Sequence, residues 1–332
     1  MAEQHEPLLE VRALSKTYPA SAGSLLRRDR FAAVQEVSFT VRRGETFGIV
    51  GESGCGKSTV ARLIMALERP DSGQVLLEGQ RIDNLPERRL RPLRPLFQMV
   101  FQDSGSSLNA RKRVADILAE PMLYHQVVPR EDVSRRVDEL LSLVGLPAAA
   151  RNRYPHEFSG GQRQRICIAK ALSLNPKLVI LDEPVSALDV SVQAQILNLL
   201  RDLQQELGLT CVFIGHGLGA VHYVSHRIAV MYMGRVVEIG DSDTLFSHPA
   251  HPYTRALLDA APVADYDQRH RQRMTLTGEA HSAARGGCAF RDRCPFAGEA
   301  CASLDPGLIP VDGDGTHLSA CARAFRQEES AC

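Results

Sequence analysis

Nine residues, GESGCGKST (Gly51–Thr59), carry the clearest chemistry in this 332-residue chain. They match G-x-x-x-x-G-K-[ST], follow the apolar run TFGIVG (Thr46–Gly51) and open a helical stretch. Gly51, Gly54 and Gly56 let the backbone wrap closely around phosphate oxygens. A helix N-terminus aims unpaired N–H groups and a positive dipole end at the same point. Lys57 is then placed to reach the β- and γ-phosphates, and the Ser58 hydroxyl to sit on Mg²⁺. Ser53, Cys55 and Thr59 complete the loop, so ATP with Mg²⁺ is the expected ligand. A second stretch, LVILDE (Leu178–Glu183), ends a buried strand in two acids. Asp182 supplies a carboxylate for Mg²⁺, and Glu183, one residue on, stands where a general base polarises the attacking water. Together the two stretches read as a hydrolytic site.

The elements that must hold these residues alternate. Strands are expected at Val11–Tyr18, Val34–Val41, Thr46–Gly51, Gly73–Gly79, Phe97–Gln102, Lys177–Glu183 and Leu209–Gly215, then in RIAVMYMG and RVVEIGD. From Arg113 to about Gly145 the period turns helical, with Val133, Val137, Leu140, Leu141 and Val144 on one face. A later helix spaces Ile196, Leu200, Leu203 and Leu207 in the same way. Such alternation predicts an α/β fold with a largely parallel sheet covered on both faces, and Arg113–Pro155 as a helical insertion. The basic stretch SAGSLLRRDR reads as a hairpin tip, and after Pro262 the pattern decays, placing a boundary near Ala261.

Lys plus Arg and Asp plus Glu both number 39, so net charge gives no push toward nucleic acid or anionic lipid. A hydrophobic content of 44% is enough for a real core. The N-terminal residues lack the pattern of a signal peptide, and no run approaches the roughly 18 apolar residues of a spanning helix. The expectation is a soluble, cytosolic chain able to dock on a membrane protein. Of eight cysteines, Cys55, Cys167 and Cys211 fall singly in core elements, and Cys332 is terminal. Cys288-x5-Cys294-x6-Cys301-x19-Cys321 is a cluster. Four thiolates could hold Zn²⁺ or a [4Fe–4S] cluster, and four reduced thiols in a packed lobe is the alternative.

FSGGQRQR (Phe158–Arg165) resembles the signature motif of ATP-binding cassette (ABC) ATPases, with Phe158 where Leu is usual. Other elements stand in the family's order across about Leu8 to Gly240. The resemblance implies that Tyr18 stacks on adenine, that Gln102 in VFQD senses Mg²⁺ and the attacking water, and that SALD (Ser186–Asp189) is the D-loop. It implies that His216 contacts the γ-phosphate, and that Ser159, Gly160, Gly161 and Gln162 close over a nucleotide held by a partner subunit. Glu183, His216 and Gln102 are then the catalytic set. The family usually reads Ser-His-Asp around the switch histidine; here Gly215 and Gly217 flank it.

The implied fold is an ABC-type P-loop NTPase over residues 8–261, with an antiparallel β subdomain and a helical subdomain at about 103–160. A small Cys-rich extension fills 262–332. Within the family, EPVSALDVSVQAQILNLL (Glu183–Leu200), HPAHPYTRALLDAAP (His248–Pro262), LTGE (Leu276–Glu279) and GCAFRDRCPFA resemble the ATPases of bacterial dipeptide, oligopeptide and nickel importers. Similarity is closest to the second ATPase subunit of dipeptide permeases. That branch implies ATP hydrolysis at a composite dimer interface, driving import of di- or oligopeptides, with nickel or opine-like metal chelates as the alternative cargo. A soluble non-transport ABC ATPase is the other class. Implied partners are a second ATPase subunit, two transmembrane permease subunits and an extracytoplasmic binding protein, with no nucleic acid, at the cytoplasmic face of the bacterial inner membrane. Similar extensions share the cysteine order and some hold a [4Fe–4S] cluster, which implies that role for Cys288, Cys294, Cys301 and Cys321. Nothing in the sequence places this extension beside the ATP, so a staple for a small lobe is the expectation.

Overall fold

A computed structural model of the chain describes residues 6–19, 30–260, 286–305, 307–311, 313 and 315–321. The hairpin tip at 20–29, the boundary at Ala261, LTGE and Cys332 lie outside the described residues. Strands β1 (Pro7–Pro19) and β2 (Arg30–Arg42) pair antiparallel, with Val11 opposite Phe39 and Tyr18 opposite Phe31. In β2, buried Val37, Phe39 and Val41 alternate with exposed Ser38 and Thr40, the period-2 pattern of a sheet with one face covered. Strand β3 (Thr46–Val50) is buried at every position, as a central parallel strand should be. The chain then turns through the phosphate loop into α1 (Lys57–Ile64) and returns as β4 (Ser72–Leu77) and β5 (Gln80–Arg81). These complete a four-stranded sheet in the order β2-β1-β4-β5. Stacked rings of Phe39 and Phe47, 4.8 Å apart, join that sheet to the second one.

After α2 (Glu87–Leu90) comes β6 (Phe97–Val100), and then helices α3 (Ser104–Ser107), α4 (Val114–His125), α5 (Val133–Leu143) and α6 (Gly160–Leu172). Helix α5 buries Val133, Val137, Leu140 and Leu141, the face expected from their spacing. Strand β7 (Leu178–Asp182) leads to α7 (Val190–Leu207), which buries Ile196, Leu200 and Leu203. Leu207, expected on that face, is 47% exposed, because Gly208 at φ +61° ends the helix beside it. There follow β8 (Thr210–Gly215), α8 (Leu218–Val224), β9 (Arg227–Tyr232), β10 (Arg235–Asp241), α9 (Ser242–Ser247) and α10 (Pro252–Ala260). The cysteine-bearing segment adds α11 (Ala300–Ser303), β11 (Ile309–Pro310) and β12 (Leu318–Ser319).

The second sheet has eight strands in the order β11-β12-β10-β9-β3-β8-β7-β6. From β9 to β6 its neighbours run parallel, whereas β10, β12 and β11 are antiparallel. The sheet is therefore mixed, and the extension is not an annex: Glu238 of β10 pairs with Ser319 of β12. Two-residue strands are too short to leave a periodic signal, which is why the pattern read as decaying. The carboxyl ends of β3 and β7 lie on the same side of the parallel strands, where open α/β sheets place ligands. Among the described residues, no helix is long and apolar enough to cross a membrane.

Candidate functional site

Where β3 ends, the backbone needs glycine. A Cβ on Gly51 would stand 2.2 Å from the Met231 carbonyl oxygen, and one on Gly56, at φ +108°, 2.1 Å from that of Ala33. Lys57 is buried, and its Nζ donates to the carbonyls of Gly51 at 2.7 Å and Glu52 at 2.9 Å. The ammonium is thus held by the loop it belongs to, and a phosphate would compete with those two carbonyls. The Ser58 hydroxyl donates to Asp182 Oδ1 at 3.1 Å, so two of the three residues expected at Mg²⁺ are neighbours, and Gln102, the third, lines the same cleft as Ser58. Burial pushes the Asp182 carboxyl above its ordinary pKa; the Ser58 hydrogen bond opposes this and the charge of Glu183 adds to it. Hard oxygen donors of this kind fit Mg²⁺, whose charge would favour the ionised carboxylate.

Glu183 sits at φ +48°, a left-handed conformation unusual for a residue with a Cβ, and its N–H donates to the Ile214 carbonyl at 2.9 Å. This turns its carboxylate out of the sheet. Gln102 Nε2 donates to Glu183 Oε2 at 2.8 Å, and His216 Nδ1 lies 3.8 Å from the same oxygen. The three side chains expected to be catalytic therefore converge on one carboxylate. A cleft of about 290 Å³ is lined by Tyr18, Ser53, Gly54, Gly56, Lys57, Ser58, Thr59, Gln102 and Glu183. Gly51 and Cys55, also expected at the nucleotide, do not line it. Cys55 is buried in the apolar core, and burial raises its thiol pKa. His216 lines an adjoining cavity with Glu183, Ser186, Gln193 and Gly215.

The cleft also contains two residues that motif reading missed, Phe31 and Ala33. Phe31 is 45% exposed and is the cross-strand partner of Tyr18, a signal visible only once the β1–β2 register is known. The Tyr18 hydroxyl donates to Glu68, and burial raises its pKa. Ser159 caps α6 reciprocally: its hydroxyl accepts the Gln162 N–H at 3.3 Å, and Gln162 Oε1 accepts the Ser159 N–H at 3.1 Å. A Cβ on Gly161 would meet Val192 Cγ1 at 2.4 Å, so a larger residue there would force Val192 to move. Ser159, Gly160, Gly161 and Gln162 do not line the cleft that holds Lys57. Asp189 is exposed at the N-terminus of α7, next to Val190 at 82% exposure. Gly217 begins α8 without a side-chain cap, and a Cβ there would meet nothing within 4 Å.

The extension reaches the phosphate loop, against expectation. Arg293 forms two hydrogen bonds with the Glu52 carboxylate, at 2.9 and 3.0 Å. Tyr253, from HPAHPYT, accepts the Glu52 N–H on its hydroxyl at 2.9 Å. Its ring packs with Tyr232 and Phe290, the latter 1% exposed. Glu238, fully buried, accepts from the N–H groups of Ala250 and His251 and lies 2.7 Å from His317 Nε2. Sequence spacing carried no sign of either contact.

The four clustered cysteines approach one another: the Cys288 N–H donates to the Cys301 carbonyl at 2.9 Å. Burial raises the thiol pKa of Cys288 and Cys294, and the other cysteines of the cluster add to it. Among the described residues, however, no group of three or more His, Cys, Asp or Glu is disposed to hold a metal ion. The expected [4Fe–4S] or Zn²⁺ ligation by Cys288, Cys294, Cys301 and Cys321 thus has no support in this geometry. Cys288 and Cys294 are half-buried and pack against the apolar core.

Comparison with known proteins identifies the family. Residues 34–186 match the family described as ABC transporter, and residues 237–301 match the oligopeptide/dipeptide transporter C-terminal region. "Probable peptide ABC transporter ATP-binding protein y4tS" of Sinorhizobium fredii is 50% identical over 96% of this chain and 91% of its own length. The oligopeptide transport ATP-binding protein AppF of Bacillus subtilis is 46% identical, over 96% of this chain and 98% of that protein. Among solved structures, the dimeric bacterial ABC transporter cassette MJ0796 superposes with a TM-score of 0.63 at 27% identity, covering 70% of this chain and 98% of that one. The cbiO1 subunit from Clostridium perfringens gives 0.64 at 29% identity, covering 74% and 92%. The chain belongs to the ATP-binding, ATP-hydrolysing proteins of ABC transporters, in the group that carries the oligopeptide/dipeptide transporter C-terminal region.

Proposed function

We propose that this chain powers the import of di- or oligopeptides by hydrolysing ATP at a composite site in a dimer of ATPase subunits. One observation carries the chemical part: Lys57, Ser58, Gln102 and Glu183 line one cleft, with Asp182 hydrogen-bonded to Ser58 beneath it. Lys57 binds the phosphates, Ser58 and Asp182 hold Mg²⁺, which supplies charge neutralisation at the phosphates, and Glu183 takes a proton from the attacking water. Gln102 orients that carboxylate, and His216 meets the γ-phosphate from the other side. Tyr18 stacks on adenine. Ser159, Gly160, Gly161 and Gln162 present a helix N-terminus to the ATP of a partner subunit, with Asp189 at the same interface; their absence from the cleft that holds Lys57 supports this.

The names of the similar proteins support a peptide as cargo. The reading assigns the chain a second ATPase subunit, two transmembrane permease subunits and an extracytoplasmic binding protein, and places it peripherally at the cytoplasmic face of the bacterial inner membrane. Exposed Phe101, Leu123, Tyr124 and Val127, near Gln102 in sequence or on and just after α4, support docking of a membrane subunit on the helical segment between β6 and β7. Residues 8–261 act as the ATPase unit, with the helical subdomain at about 103–160 and the extension from 262 to 332. An iron–sulfur cluster is not part of the proposal.

Replacing Glu183 by Gln tests the reading. We expect turnover to fall by about 10²- to 10⁴-fold while MgATP still binds and a closed, ATP-bound dimer accumulates. Undiminished turnover would remove Glu183 as the base.

A further inference from the structure

We propose that Arg293, in the cysteine-bearing extension, is a positioning residue for the phosphate loop: it fixes Glu52, and through Glu52 the backbone that receives the phosphates of ATP. The inference rests on the ATP site described under Proposed function. Glu52 is the second residue of the loop, and three of its groups are tied. Its carboxylate takes the two Arg293 hydrogen bonds at 2.9 and 3.0 Å. Its N–H goes to the Tyr253 hydroxyl at 2.9 Å, and its carbonyl accepts from Lys57 Nζ at 2.9 Å. Arg293 itself is 10% exposed in its side chain and lies 5.8 Å over the Tyr232 ring, which packs edge-on against buried Phe290. A guanidinium so enclosed has little freedom of its own and holds the carboxylate at a set place. Two charge-assisted bonds in a fixed fork are stronger and more directional than neutral ones.

The extension does not need this pair for attachment. Phe290 packs into the aromatic cluster with Tyr232 and Tyr253, His317 meets buried Glu238, and β12 pairs with β10. What the Arg293–Glu52 pair adds is a hold on the loop. Lys57 divides its ammonium between the Gly51 and Glu52 carbonyls, so displacement of Glu52 also moves the group that meets the phosphates. A loop ordered before the nucleotide arrives avoids that cost on binding.

The test is equilibrium binding of MgATP to the full chain, with steady-state ATPase assays alongside. Arg293→Ala and Glu52→Gln are each expected to weaken MgATP binding and raise KM about tenfold, the loss from one charge-assisted contact. In Arg293→Ala, turnover at saturating ATP should stay within about twofold, since the contact acts on binding rather than on the reacting atoms. The double variant should lose no more than either single one, and Arg293→Lys should recover part of the loss. Lys57→Ala separates the two readings, because it should abolish tight binding. If Lys57→Ala does so while Arg293→Ala and Glu52→Gln bind normally, the positioning role is wrong and the site stands. A loss with Arg293→Ala but not with Glu52→Gln would also overturn it, since the effect would then come from a disturbed extension. Unchanged binding in Lys57→Ala would refute the site itself.

Discussion

In the phosphate loop the groups that matter are neighbours in sequence. Lys57 reaches the carbonyls of Gly51 and Glu52, and Ser58 opens the helix that follows. In the extension the equivalent contacts join residues far apart: His317 to Glu238 across 79 positions, and Arg293 to Glu52 across 241. Both regions bury charged groups and pair them. Only the first does so locally enough for a motif to encode the geometry, whereas the second depends on a sheet edge that returns the chain to its own core. The difference teaches that an extension without a regular period can still be integral, because a few anchors such as Phe290 replace the continuous apolar face of a helix or strand.

The largest expected effect asks whether the extension is a part of the core or an annex. Phe290→Ala should lower the stability of the whole cassette by about 3 to 5 kcal/mol, as for other buried aromatic truncations, in one unfolding transition. A separate early transition of the extension, with the cassette unaltered, would make it an annex after all.

Next comes pH, read through His251 at the junction of the two regions. Burial lowers its pKa from 6.5 to about 4, and its Nδ1 accepts the Tyr253 N–H at 3.1 Å, which needs the neutral ring. The folded state therefore resists a proton that the unfolded chain accepts. The contribution is complete above the unfolded value near pH 6.5 and is lost progressively as the pH falls toward 4. It amounts to about 3 kcal/mol at most. Denaturant titrations between pH 7 and 4.5 should show this loss, and His251→Asn, whose side-chain oxygen accepts without titrating, should flatten it. An equal slope in the variant would assign the acid loss to other groups.

The smallest effect concerns the cassette alone. Gly217→Asp supplies α8 with the side-chain cap it lacks, in space that is open, and should stabilise the protein by only a few tenths of a kcal/mol. Gly215→Ser, by contrast, would push its Cβ to 2.9 Å from Val221 Cγ2, so it should not be neutral in a thermal melt. Matching melts for the two variants would contradict the packing around His216.

Much of the site was legible because its parts are short and each brings its own backbone requirement. GESGCGKST needed glycine where carbonyls of Met231 and Ala33 crowd the loop, and LVILDE needed a buried strand ending in acids. The apolar face of α5 was legible for the same reason, since helical period is a local property. Phe31 was not, since its place in the cleft depends on the β1–β2 pairing across residues 20–29. Cys55 was placed at the nucleotide by its position in the motif, yet its side chain faces the core, because only the loop backbone has to face phosphate.

Sequence alone determined the phosphate loop, the paired acids at the end of β7, the Ser159–Gln162 cap that opens α6 and the alternation that builds an α/β core. These follow from residue type, spacing and short-range sterics. Tertiary structure alone decided that Gln102, Glu183 and His216 converge on one oxygen, that the sheet is mixed, that Cys288 is bonded through its backbone to Cys301, and that Arg293 reaches Glu52. Each of those depends on bringing distant segments together, and the free energy that does so is spread over the whole core rather than written at any one position.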